Sequence, residues 1–195
     1  MMIKKFHALL IIIVCLSCNE DYVPKPKAFL RLDYPEAKYI KTNLNNLPFS
    51  FETNLLAKKI SSKLLYGTTE SYGVNIEYPS LKSTLYLTYK AIGGDNKNLE
   101  DFLRDAQKLT LEHTIKADEI PKYPYENLEN KVYGMLSEVK GDVASTAQFY
   151  VTDSVNHFLT GSLYFKVKPN YDSILPAANY IQKDIKHIME TLRWK

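Results

Sequence analysis

Four histidines, two cysteines and a scatter of carboxylates are the residues of this 195-residue chain that could do chemistry. Asp184 and His187 stand three apart, which puts both on one side of a helix. Such a pair can begin a metal site, but a metal centre takes three or four ligands. No second pair accompanies it, so Asp184 and His187 read as a surface ion pair or as solvent-exposed groups. His113 falls on the flank of a helical pattern and reads as a partly buried structural residue. His157 opens a strand pattern, with Asp153 as its nearest acidic neighbour. His7 lies in the first, apolar stretch. Gly161-Ser162 sits inside a strand pattern, where a strand-to-helix nucleophile elbow has no place. No His-Glu-x-x-His, Gly-x-Ser-x-Gly, phosphate loop or dinucleotide fingerprint occurs. Asp118-Glu119 and Glu126 with Glu129 fall in or near predicted loops. The spacing of a hydrolytic carboxylate pair is a property of the fold, and nothing in the sequence favours one. The expectation is no catalytic residue, no metal and no cofactor.

Both cysteines lie near the start, as Cys15-Leu16-Ser17-Cys18. A C-x-x-C spacing can serve redox chemistry or half a zinc site, but this one lies inside an apolar run. Lys4 and Lys5 precede about ten apolar residues, and the small Ser17 precedes Cys18, which is the pattern of a secretory signal. Ending on a cysteine, it resembles a bacterial lipoprotein signal. Cys18 then becomes the first residue of the exported chain and carries the lipid. Loss of residues 1–17 leaves 23 basic against 22 acidic residues, a net charge of +1. That balance offers no electrostatic grip on nucleic acid or on anionic lipid. Attachment to a membrane therefore rests on buried acyl methylenes, at about 0.8 kcal/mol each. One exported cysteine allows no internal disulfide, so the fold depends on its core.

The elements that must position the remaining side chains follow from periodicity. Residues 18–46 form a tether and N-terminal extension. In it Pro24-Lys25-Pro26-Lys27 is extended, and Phe29 to Pro35 is apolar enough to pack on the body. Residues 47–195 form a single domain. Phe49 and Phe51, then Val74, Ile76 and Tyr78, then Leu85, Leu87 and Tyr89 alternate as strand residues do. Gly93-Gly94-Asp95-Asn96 breaks the chain. A helix is predicted from Leu99 to Ala117, with Asn98 as N-cap and a stripe of Leu99, Phe102, Leu103, Ala106 and Leu109. Three strands are predicted over 130–140, 143–152 and 157–167, joined by tight turns that demand antiparallel neighbours. A last helix over Ser173–Leu192 carries Ile174, Ala178, Ile181, Ile185, Ile188 and Leu192 on one side, with Pro176 in its first turn. Trp194 is expected to fold back on the core. The class is α+β, an antiparallel sheet of about six strands covered by helices. The element order resembles a Mog1/PsbP-like α/β/α sandwich.

Fifteen tyrosines and only seven glycines stand out in the composition. Scarce glycine argues against phosphate-cradling loops and β-propellers. The tyrosines suit half-buried strand positions, or alternatively an interface. Tyr123-Pro124-Tyr125, read as a loop, is the candidate binding segment.

Several stretches, none carrying chemistry alone, complete the reading. They are Lys25-Pro26-Lys27 with Phe29-Leu30-Arg31-Leu32-Asp33-Tyr34-Pro35, Gly161-Ser162-Leu163-Tyr164-Phe165 and Pro169 to Pro176. Tyr180-Ile181, Asp184-Ile185-Lys186-His187 and Thr191-Leu192-Arg193-Trp194 belong with them. Together they resemble the gliding-motility lipoprotein GldD family of Bacteroidota, over nearly the whole chain from Cys18. Ala28 departs from the pattern, which more usually has glycine there. The resemblance implies a cell-envelope lipoprotein needed for gliding, its partners being the membrane and envelope proteins of the gliding and type IX secretion machinery. The outer membrane is the favoured location. It supplies no catalytic residue. An envelope enzyme or a glycan-binding module acting on peptidoglycan is the alternative.

Overall fold

The computed structural model describes residues 32–42, 44, 46–112, 117–143, 145–167 and 170–195. The signal, Cys18, the tether and His113 lie outside them. A seven-stranded antiparallel sheet dominates, built from two meanders. The first runs through β4 (Lys59–Leu65), β5 (Ser71–Tyr78) and β6 (Ser83–Ala91). The second runs through β7 (Lys122–Asn127), β8 (Val132–Glu138), β9 (Ser145–Thr152) and β10 (His157–Phe165). Helix α1 (Asn96–Leu111) carries the chain from β6, in the middle of the sheet, to β7 at its edge. The meanders join where β10 pairs with β6 from His157–Ala91 to Phe165–Ser83. Two short ribbons flank the sheet. One pairs β1 (Tyr39–Lys41) with β3 (Glu52–Asn54), the other β2 (Phe49–Ser50) with β11 (Arg193–Trp194). The boundary set at residue 47 thus falls between β1 and its partner β3.

Strand alternation sorts the two faces of the sheet. Val74, Ile76, Leu85, Leu87, Val151, Leu159 and Leu163 are buried in one cluster with Ile181, Ile185 and Ile188 of helix α2 (Tyr171–Thr191) and with Leu192, its C-cap. All six stripe positions expected of that helix are buried. On the opposite face α1 sets Phe102 against Phe158, with ring centroids 5.7 Å apart. Leu99, Leu103 and Ala106 pack beside them, while Leu109 is exposed. One helix therefore lies on each face.

Several boundaries differ from the sequence reading, each for a local reason. Helix α1 starts earlier, because the Asp95 carboxylate caps it by accepting from the Lys97 amide at 2.8 Å. Asn98 is inside the helix, and its side-chain amide donates to the Ile92 carbonyl instead. Helix α2 also starts earlier, capped by Asn170. Pro176 consequently lies beyond the first turn, and the Asp172 carbonyl loses the amide a regular helix supplies. Tyr123-Pro124-Tyr125 is not a loop. It is part of β7, where an edge strand tolerates a proline because one side of its ladder is free. Gly161 belongs to β10 for a packing reason: a Cβ there would lie 2.1 Å from the ring of Phe149 on the adjacent strand.

Candidate functional site

Asp184 departs furthest from its expected place. It belongs to the buried side of α2, between Ile181 and Ile188, and is 1% exposed. A carboxylate there needs donors, and the first ribbon brings them. Asn54, at the end of β3, donates its amide to both carboxylate oxygens at 3.1 Å. Tyr39, at the start of β1, donates its hydroxyl at 2.8 Å. Tyr180, one turn earlier on α2, accepts from Asn54 and donates to the Pro35 carbonyl at 3.1 Å. Its ring packs on Tyr34, with centroids 5.1 Å apart. Burial raises the Asp184 pKa above its ordinary value, and the bonds from Asn54 and Tyr39 oppose that rise. The same burial, with the carboxylate as neighbour, pushes the Tyr39 and Tyr78 hydroxyls upward.

His187 does not pair with Asp184. Its ring stacks on Tyr39 at 3.5 Å, and Nε2 meets Glu52 Oε2 at 2.8 Å. Thr191, one turn on, accepts from the Glu52 amide. The surface ion pair expected of Asp184 and His187 is thus replaced by two separate attachments of one helix to the β1–β3 ribbon. Chemically the cluster fixes the entering segment, residues 34–42, against α2.

His157 meets Tyr89 through Nδ1 at 2.8 Å and stacks on Trp194 at 5.0 Å. Asp153 makes no hydrogen bond to this ring and acts on it only through its charge, which opposes the effect of burial. Its carboxylate accepts the backbone amides of Val155, Asn156 and His157, holding the turn. Burial lowers the His157 pKa and pushes the Tyr89 hydroxyl up to about 12, favouring the neutral pair. Trp194 folds back as expected, donating its indole N–H to the Lys131 carbonyl. Asp118-Glu119 and Glu126 with Glu129 do not converge. Glu119 pairs with Lys140, and Glu126 faces solvent on β7. Among the described residues no group of three or more histidine, cysteine or acidic residues could hold a metal ion.

Tyr123 and Tyr125 share the α2 side of β7. Tyr125 donates its hydroxyl to the Met189 carbonyl, and Lys186 lies 5.6 Å over the Tyr123 ring. Tyr123 is exposed and Tyr125 is half-buried against the core. Pro124, opposite Met135, points the other way. The segment therefore offers one exposed aromatic beside a lysine, with its second tyrosine committed to packing.

A model of the family described as gliding motility lipoprotein GldD matches residues 19–194. The chain belongs to that family. Neither a curated protein nor a solved structure matches it. The family is one of lipid-anchored envelope proteins, and no described helix is long and apolar enough to cross a membrane. The stretches that resemble the family, remote in sequence, meet around Asp184. Tyr34 and Pro35 come from the first, Tyr180, Asp184 and His187 from the α2 segments, and Thr191 from the last. Asn54, Glu52 and Tyr39 complete the cluster and were not singled out in the sequence. The available signal was Asp184 itself, because a carboxylate three residues after Ile181 and four before Ile188 must be buried and therefore paired.

Proposed function

We propose that this lipoprotein acts in gliding as a non-catalytic component or assembly factor of the gliding and type IX secretion machinery. It sits on a membrane, the outer membrane in our reading, through lipid on Cys18. The family match over residues 19–194 carries the proposal. The geometry adds support. Asp184, His157 and His187, three groups a catalyst could use, are each bonded to structural partners. Partner proteins are expected on exposed aromatic surface, with Tyr123 and its neighbouring Lys186 as one contact.

The test is a deletion strain complemented with variants, scored for colony spreading, surface adhesin delivery and protein level together. Deletion should abolish spreading, and His157→Ala should restore it wherever the protein accumulates. Tyr123→Ala should impair spreading at normal abundance. Normal spreading of the deletion strain overturns the motility role. An abundant His157→Ala protein without function overturns the non-catalytic one.

A further inference from the structure

Among the described residues, the face of the sheet that carries α1 is only partly covered. Beyond the last turns of the helix a recess of about 220 Å³ opens onto the strands. Its floor contains a row across three of them. Gln148 on β9 stands opposite Ser137 of β8 and opposite Ser162 of β10. Its wall is apolar, from Ala106 and Leu109 of α1 with Met135 of β8. Gln148 is 3% exposed, yet half of its amide is unused. Oε1 accepts from the Thr110 hydroxyl at 2.9 Å, while Nε2 has no partner among the described residues. A buried donor left unpaired carries a desolvation penalty with nothing to offset it, so a ligand supplying an acceptor there gains what the free protein lacks.

The row continues in register onto β6, where Tyr86 stands opposite Ser162. Tyr86 is 42% exposed and meets Tyr164 edge-on, with centroids 5.8 Å apart. Directly opposed side chains on a sheet lie within about 5.5 Å at Cβ. The recess and the aromatic platform are therefore adjacent parts of one surface. The recess is smaller than the roughly 300–1,000 Å³ of pockets that engulf a ligand whole, so it receives one substituent. Hydroxyls and an amide line its floor, and Lys122 is the one charged residue among its described lining residues.

We propose that this surface binds an N-acetylated amino sugar of a glycan. Nε2 is closed to solvent in the free protein, so the Gln148 amide turns toward the recess on binding; the acetamido carbonyl then accepts from it, the methyl group lies against Met135 and Leu109, and the sugar ring covers Tyr86. The apolar face of a pyranose suits an amphipathic tyrosine ring. The assignment goes beyond the motility role and stands or falls separately from it, because its readout is binding by the purified protein.

The experiment titrates the full lipoprotein in detergent with the trisaccharide of N-acetylglucosamine. The controls are its fully deacetylated counterpart and a glucose trisaccharide, and calorimetry or tyrosine fluorescence is the readout. The acetylated sugar should bind at least ~10-fold more tightly than either control. Gln148→Leu and Tyr86→Ala should each weaken it by ~10-fold or more. Tyr86 is exposed, so its variant should keep the parent melting temperature and carries the test of the site should Gln148→Leu misfold. Absence of binding at millimolar sugar overturns the proposal. Equal affinity for the deacetylated sugar overturns the acetamido assignment, and unchanged binding by a folded Tyr86→Ala overturns the location.

Discussion

At the scale of single residues, Asp184 sets a distinctive pH response. Its carboxyl has a raised pKa in the folded protein, above the ordinary 3.8. Between those two values the folded state holds more protons than the unfolded chain. Stability therefore falls as pH rises through that window. Asp184→Asn should remove this contribution, and denaturant midpoints across a pH series will show it as a shallower slope; an unaltered slope contradicts the burial argument. Asp184→Ala should be worse at every pH, costing about 1–3 kcal/mol for each donor it strands, Asn54 and Tyr39 among them. Gly161→Ala places a methyl group against the Phe149 ring and should cost about 1–3 kcal/mol in denaturant unfolding. This scale was the least legible in the sequence. The spacing of Asp184 and His187 placed them correctly on one helix. Their partners came from residues 39, 52 and 54, which no local pattern connects to position 184.

Elements were much more legible, because periodicity reports which side of a strand or helix is apolar. Three of the four strands of the second meander, β8, β9 and β10, were anticipated, and so was the full stripe of α2, since uninterrupted alternation or a 3.6-residue period decides such segments. The two misplaced helix starts share one cause. Helix starts were placed by apolar periodicity, whereas Asp95 and Asn170 begin each helix with a polar bond one or more residues ahead of the first stripe residue. β7 was missed because its proline reads as a break, and only its place at the sheet edge makes the residue tolerable. Ile185 is fully buried where α2 meets the sheet. Its truncation to alanine should cost about 2–5 kcal/mol. Chemical denaturation measures this, and a loss below about 0.5 kcal/mol, as at surface positions, would place the stripe in solvent.

For the whole molecule, the anchor proposed on Cys18 stands shortly before the latch of residues 34–42 on α2. Labelling cells with a fatty-acid analogue should mark the wild-type protein and not Cys18→Ala; equal labelling would remove the anchor from the account. Fold class was legible at this scale because two meanders and two amphipathic helices admit few arrangements. The order of strands across the sheet was not, since nothing local announces that β10 will lie beside β6. That seam has a kinetic consequence. It joins Thr88 to Thr160, 72 residues apart, through the centre of the sheet. Each meander is made of near neighbours and can form quickly, while closing the seam must wait for a long loop to be ordered. Until then β6 holds an open edge, and Leu85 and Leu87 stay uncovered while α2 is still to come. An exported chain that emerges from its N-terminus thus passes through a sticky half-sheet, and the last helix made is the one that ends the risk of aggregation.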